Sequence, residues 1–136
     1  MYKIIIIGAG AIGLSIARAI SVNSEDSVLV IEKEESYGRG ISSRNSEVIH
    51  SGIYYKPNSL KASYSTLGRE LIYDFCKKNH IWYKKCGKLV VGNTNQGSEL
   101  ELLYNNANSN NVPDVRIIEK KEIQKLEKNV DSDLAL

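Results

Sequence analysis

The chain has 136 residues, a length typical of a single domain, and its 18 basic and 16 acidic side chains leave a formal net charge of +2. Because the two signs of charge are interspersed, the composition favours neither nucleic acid nor a charged membrane surface as a partner. No apolar run approaches the roughly 20 residues that cross a bilayer, so any membrane association would be peripheral. Met1 stands too close to the first apolar segment for a targeting peptide, so we expect a cytoplasmic protein, at most peripheral to the inner face of a membrane.

The first part of the chain predicts a nucleotide-binding βαβ unit. The four isoleucines Ile4–Ile7 have the unbroken apolar character of a parallel strand that is buried on both faces. A glycine-rich turn and an apolar helix follow, and residues 27–31 form a second apolar strand. In the turn, Gly8 would permit the tight bend, Gly10 the approach of a pyrophosphate, and Gly13 the close packing of the helix on the strand.

A dinucleotide would contact this unit at two places, the N-terminus of the helix and the end of the second strand. The pyrophosphate would bind at the N-terminus of the helix, against the backbone of Gly10, Ala11 and Ile12. Glu32 directly follows the second strand, where a carboxylate can accept hydrogen bonds from the ribose hydroxyls, and Lys33 beside it is included in the predicted site. The alternative is a βαβ unit that binds nothing, since glycines at this spacing also occur in ordinary turns.

A polar segment follows the unit. Residues 34–40 form a glycine-containing loop, and residues 41–55 combine hydroxyl, amide, guanidinium and imidazole groups with small residues. Such a segment can line a polar ligand, although a surface loop with a serine-capped turn has the same composition.

A long helix is predicted next. Ser59 can cap a helix of about twenty residues. The aromatic and aliphatic side chains of its apolar stripe are expected to belong to the core: Leu60, Tyr64, Leu67, Leu71, Ile72 and Phe75. Its Cys76 and the later Cys86 form no CxxC pair and have no metal-ligand spacing with the two histidines. We therefore expect reduced, partly buried thiols and no metal site, so that any redox chemistry comes from a cofactor.

The last third of the chain alternates between strands and helices. Residues 88–91 predict a strand and residues 98–107 a helix. The asparagine-rich tract 105–111 is predicted as a loop. A short strand at residues 115–118 and a charged helix at residues 120–128 complete the pattern.

Several stretches resemble one known family. The sequence from Ser42 to Tyr55 reads SSRNSEVIHSGIYY and continues as KPNSLKA. It is similar to the second signature of the FAD-dependent oxidoreductases related to D-amino-acid oxidase and glycerol-3-phosphate dehydrogenase, with the greatest similarity to L-2-hydroxyglutarate dehydrogenases. Residues 86–91, CGKLVV, resemble a later strand of that family. Glu47 stands where the best-known 2-hydroxyglutarate enzymes have glycine.

The resemblance implies FAD as the cofactor and hydride transfer from a small 2-hydroxy acid to the flavin, with L-2-hydroxyglutarate as the first candidate. Four residues would wrap the FAD pyrophosphate and approach the isoalloxazine ring: Ser42, Ser43, Arg44 and Asn45. The alternative for Arg44 is a weak local ion pair with Glu47. The electron acceptor, whether oxygen, a quinone or another carrier, is left open.

His50 is the predicted catalytic residue. Imidazole is the side-chain group whose ordinary pKa lies nearest to neutrality, which suits a general base. His50 would take the hydroxyl proton or donate a hydrogen bond that holds the substrate; the alternative is a bond to backbone or flavin without proton transfer. Tyr54 and Tyr55 would either line the pocket or pack against the helix, and His80 is expected to be solvated.

The predicted fold class is α/β. Residues 1–80 would form a Rossmann-like FAD-binding portion, and residues 81–136 the beginning of an α+β substrate domain. Members of the resembled family are considerably longer, so we expect an incomplete fold and an N-terminal fragment that is inactive without a complementing C-terminal segment. Its sheet would have an open apolar edge.

Other functions are also consistent with the sequence. One is a non-catalytic remnant that binds nucleotide weakly or not at all. Another is FAD-dependent oxidation of an amino acid or of glycerol 3-phosphate. The least favoured alternative is an NAD-dependent dehydrogenase, because the signature that follows Glu32 belongs to the FAD-dependent enzymes.

Overall fold

The computed structural model describes residues 1–136, which pack as two compact units, Met1–Val48 and Ile49–Leu136. This division lies earlier in the chain than the predicted boundary after residue 80. It reflects packing alone, so the assignment of residues 1–80 to FAD binding and of residues 81–136 to a substrate domain stays a prediction.

The first unit has the predicted βαβ arrangement. Strand β1 (Ile4–Ile7) and strand β2 (Val28–Ile31) are parallel, and helix α1 (Ala11–Asn23) connects them. A short 3-10 helix, Ile41–Ser43, follows. This small parallel sheet with its connecting helix is the expected Rossmann-like α/β architecture in partial form.

One face of this sheet is open. The side chain of Ile5 is 57% exposed and that of Ile7 is 87% exposed, whereas Ile4 and Ile6 are half-buried. A Cβ on Gly13 of α1 would lie 3.4 Å from Cγ2 of Ile6, so the helix covers the face that carries Ile6. The prediction that the first strand is buried on both faces is wrong for this chain, because α1 shields only one of them.

Three α-helices belong to the second unit, α2 (Leu60–Lys78), α3 (Gly97–Ser109) and α4 (Lys120–Leu126), and a 3-10 helix, Thr94–Gln96, precedes α3. Ser59 caps α2 as predicted, since its Oγ accepts a hydrogen bond from the N–H of Ala62 at 3.2 Å. No helix combines the length and the apolar composition that a membrane span requires.

The apolar stripe of α2 is not part of a core. Its six side chains are between 40% and 75% exposed, and the buried residues of the helix are Ala62 and Cys76. The periodicity therefore identifies the apolar face, but the expectation that this face is buried is wrong. Cys86 is also exposed, although both cysteines are free thiols as expected.

A small antiparallel sheet organises the end of the chain. Its strands β3 (Val91–Gly92), β4 (Ile118–Glu119) and β5 (Leu134–Ala135) are arranged in the order β3-β5-β4. The strands predicted at residues 88–91 and 115–118 are thus shorter and shifted toward the C-terminus. Ile118, Ile123 and Ala135 form the buried cluster of this unit, with Leu89 and Val130 packed against it.

The asparagine-rich tract is mostly helical, so its prediction as a loop is wrong. Helix α3 continues to Ser109, and Asn110 is its C-cap residue. Asn111 then adopts a left-handed backbone conformation with φ of 54°, and the N–H of Val112 donates to the carbonyl of Ala107 at 3.0 Å. This is the hydrogen-bonding pattern of a Schellman motif, in which asparagine is tolerated at the left-handed position.

Candidate functional site

The glycine-rich turn between β1 and α1 brings the backbone of the helix close to the end of the strand. Gly8 has φ of +103°, and its N–H donates to the carbonyl of Ile31 at 2.7 Å. A Cβ added to Gly13 would lie only 2.0 Å from the carbonyl oxygen of Gly8. The structure therefore requires glycine at both positions, in the roles that the sequence predicts for them.

The N-terminus of α1 and the 3-10 helix meet at Ser42. Gly10 is the N-cap residue of α1 and supplies no side-chain cap. The N–H of Ala11 donates to Oγ of Ser42 at 2.8 Å, and a Cβ on Gly10 would lie 3.0 Å from the same atom. The first-turn N–H groups of Ile12 and Gly13 have no acceptor within the helix, as is general for helix N-termini. This arrangement suits an anion such as a pyrophosphate.

The carboxylate of Glu32 is fixed beside the turn by three backbone donors. Oε2 accepts from the N–H of Ala9 at 2.8 Å, and Oε1 accepts from those of Lys33 at 2.8 Å and Glu34 at 3.1 Å. The bond from Ala9, followed by that from Glu34, lowers the pKa of Glu32 below its ordinary value. Lys33 thus helps to fix the Glu32 carboxylate through its backbone N–H, while its side chain is 88% exposed.

The segment after the 3-10 helix is held by its own side chains. Oγ of Ser43 donates to the carbonyl of Gly40 at 3.0 Å. Nδ2 of Asn45 donates to the carbonyl of Ser42 at 2.8 Å, and its Oδ1 accepts from the N–H of Glu47 at 2.7 Å. These bonds define the conformation of the loop, and the roles of these residues toward FAD stay predictions.

Arg44 and Glu47 do not form the local ion pair considered as an alternative. Arg44 is exposed and follows the 3-10 helix as its C-cap residue. Glu47 has φ of 55°, in the left-handed region that glycine adopts without cost. The position at which this chain departs from the glycine of the resembled enzymes is therefore one where the backbone favours glycine.

His50 lies in the second unit, next to α2, and is exposed in a segment whose Gly52 is buried. Its ring is stacked on that of Tyr55, with 6.5 Å between the centroids and an interplanar angle of 30°. Its carbonyl accepts from Oγ of Ser65 at 3.3 Å. Nζ of Lys61 lies 4.6 Å from the centroid of the Tyr55 ring, and Nζ of Lys88 lies 4.5 Å from that of Tyr54. Each of the two tyrosine rings therefore forms a cation–π contact with a lysine.

Two residues that contact this segment are not indicated by the sequence analysis. The side chains of Asn106 and Asn110 donate hydrogen bonds to carbonyl groups of residues 52–55. The spacing of four residues places both on one face of a helix, which is the signal that would identify them. Low sequence complexity obscures this signal because neighbouring positions carry the same residue type.

The first unit satisfies the requirements of a bound dinucleotide. The remaining first-turn N–H groups of α1 can bind a diphosphate, and the ionised Glu32 can accept hydrogen bonds from ribose hydroxyls. Of the predicted cofactor residues, the structure joins the turn to Glu32 and Ser42 directly.

Known proteins resemble the chain over nearly all of its length. A family model described as FAD dependent oxidoreductase (DAO) matches residues 3–135. The mitochondrial L-2-hydroxyglutarate dehydrogenase of Arabidopsis thaliana is 43% identical over 124 residues, which are 90% of this chain and 26% of that protein. The proteins of the same name from Homo sapiens and Caenorhabditis elegans are 41% and 38% identical over 128 residues, which are 93% of this chain and 28% and 30% of those proteins. The chain spans less than a third of the length of these relatives.

Proposed function

Because the chain belongs to the DAO family of FAD-dependent oxidoreductases, we propose that it contributes the dinucleotide-binding turn and His50 to a dehydrogenase of small 2-hydroxy acids. The names of the relatives support L-2-hydroxyglutarate as the proposed substrate. The structural observation that carries the proposal is the glycine turn with the ionised Glu32 bonded to Ala9 at 2.8 Å. A cytoplasmic location stays a prediction, since the names of the relatives refer to mitochondria.

Each group has a defined task in this proposal. The backbone of residues 10–13 and Ser42 hold the diphosphate, and Glu32 binds the adenosine ribose. Ser43, Arg44 and Asn45 extend the contact toward the flavin ring. When bound, FAD supplies the acceptor for the hydride of the substrate. His50 takes the proton of the substrate hydroxyl or donates a hydrogen bond that orients the substrate.

A second candidate is a nucleotide-binding chain without turnover of its own. The exposed stripe of α2 and the exposed Ile5 and Ile7 favour it, since apolar surfaces of this kind are usually covered in a complete protein. In this case catalysis requires the complementing C-terminal segment that the sequence analysis predicts.

The visible absorption spectrum of the purified chain distinguishes the two candidates. FAD is added, unbound FAD is removed, and L-2-hydroxyglutarate is then supplied without oxygen. We expect the chain to retain flavin, because the turn and Glu32 are preformed. Bleaching of the retained flavin would establish a self-sufficient dehydrogenase, and retention without bleaching would support the second candidate. A colourless protein would contradict both and would support the remnant that binds nucleotide weakly or not at all.

Replacing Glu32 by glutamine should weaken FAD binding about tenfold, because a neutral amide accepts ribose hydroxyl hydrogen bonds less strongly than a carboxylate does. Glutamine also cannot accept from the three backbone donors at once, so the turn loses part of its support. The dissociation constant is measured by quenching of flavin fluorescence. Glu34→Gln is the matched control, since the Glu34 side chain contacts only Lys33; equal effects of the two substitutions would refute a specific role for Glu32.

A further inference from the structure

The carbonyl groups of the turn that follows His50 are held by two asparagine side chains of α3. Nδ2 of Asn110 donates to the carbonyls of Gly52 at 2.9 Å and Tyr55 at 2.7 Å. Nδ2 of Asn106, one helical turn earlier, donates to the carbonyls of Ile53 at 2.7 Å and Tyr55 at 2.9 Å. Two amide groups thus supply four hydrogen bonds to a four-residue turn.

The chemistry of these contacts leaves one orientation for each amide. Every acceptor is a backbone carbonyl, so only the NH2 group of an asparagine can face it. Asn110 is 6% exposed and Asn106 is half-buried, so water cannot fully replace these bonds if they are lost. The Schellman motif at Asn111 fixes the end of α3 and with it the position of Asn110.

The turn also contacts α2. Gly52 has φ of +96°, and a Cβ there would lie 3.1 Å from Cγ2 of Thr66. Oγ of Ser65 donates to the carbonyl of His50 at 3.3 Å. The segment from His50 to Tyr55 is therefore held through its backbone by two helices, whereas His50 is exposed and its imidazole stacks on the ring of Tyr55.

We propose that Asn106 and Asn110 are positioning residues, which set the location of the His50 imidazole through the backbone of residues 52–55. The inference rests on the proposed function for what the imidazole does, but the positioning itself is a property of the chain without flavin. Both asparagines act on His50 through the turn and contact neither substrate nor cofactor.

The test compares three substitutions on the same helix. Asn110→Asp and Asn106→Asp keep the side-chain shape but remove the NH2 donor. Asn108→Asp makes the same chemical change at an exposed position of the last turn and adds the same unfavourable charge near the helix C-terminus, so it is the matched control. All three are made in a chain that carries His80→Gln, in which His50 is the sole source of imidazole signals.

Nuclear magnetic resonance of the flavin-free chain supplies the main readouts. We expect Asn110→Asp and Asn106→Asp to abolish the nuclear Overhauser contact between the rings of His50 and Tyr55. Hydrogen exchange of the Tyr55 amide, which donates to the carbonyl of Gly52 at 3.2 Å, should become about tenfold faster. The methyl signals of Ile123, in the buried cluster, should stay in place, which distinguishes a local release from unfolding.

The outcomes separate this inference from the proposed function. Unchanged His50 and Tyr55 signals in both variants, or equal changes in Asn108→Asp, would overturn the positioning role. If Asn110→Asp unfolds the chain, the half-buried Asn106→Asp decides the result. If the chain without the asparagine substitutions does not reduce its flavin with L-2-hydroxyglutarate, but the two variants still lose the ring contact, the positioning role is supported and the proposed dehydrogenase activity alone is contradicted.

Discussion

Replacing His50 by glutamine should slow the reduction of bound FAD by a 2-hydroxy acid about a hundredfold or more, the usual loss when a positioned general base is removed. Glutamine can still donate a hydrogen bond but cannot hold the substrate proton. FAD affinity should change little, because the predicted contacts to the diphosphate and ribose come from the first unit and His50 belongs to the second. The rate is measured from the anaerobic loss of the visible flavin absorbance after rapid mixing.

His80→Gln is the control for this prediction. His80 is the other histidine of the chain, is exposed, and follows the C-terminus of α2. An equal loss in both variants would indicate a general effect of removing imidazole groups. A normal rate in His50→Gln would exclude His50 as the base, and weaker substrate binding at an unchanged limiting rate would assign it the role of a substrate donor.

Replacing Gly13 by alanine should destabilise the first unit by about 3 kcal/mol, the upper part of the range for overpacking, and should abolish FAD binding. The added Cβ would lie 2.0 Å from the backbone carbonyl of Gly8, and a backbone atom cannot rotate away as a flexible side chain can. Helix α1 must therefore move away from β1, which displaces the helix N-terminus from Ser42. Hydrogen exchange of the α1 amides measures the loss of stability, and flavin retention measures the loss of binding.

Gly68→Ala is the matched control, since Gly68 also lies within a helix. A Cβ there would meet no atom within 4 Å, so alanine should stabilise α2 by about 1 kcal/mol through its higher helix propensity. The two substitutions make the same chemical change with opposite expected signs. A Gly13→Ala chain with normal exchange and normal flavin retention would show that the close approach of α1 to β1 is not required.

Local signals account for the parts of the fold that the sequence predicts well. The βαβ unit, the cap at Ser59 and the presence of the helices follow from glycine placement, capping chemistry and apolar period, all of which act over a few residues. The approach of Gly13 to Gly8 is likewise a local requirement of the turn. The glycines of this turn also belong to the part of the candidate site that the structure assembles directly, together with Glu32 and Ser42.

Features that depend on contacts between residues far apart in the sequence cannot be predicted from local signals. An apolar period shows which face of α2 is hydrophobic but not whether another element covers it, so the stripe was expected in a core and is exposed. The shift of the predicted strands at residues 88–91 and 115–118 has the same origin, because their pairing with β5 determines where they begin. Asn110 is a further case, since its acceptor at Gly52 lies far away in sequence.

The position of β5 in its sheet sets the order in which the chain can assemble during synthesis. Strands β3 and β4 pair only with β5 and not with each other, and β5 consists of Leu134 and Ala135. During synthesis, β5 therefore emerges after all three α-helices of the second unit, and the sheet cannot form before it. The first unit, whose strands and helix lie within Met1–Val48, can fold well before that point. The emerging chain can thus hold a formed dinucleotide turn before β3 and β4 gain their common partner.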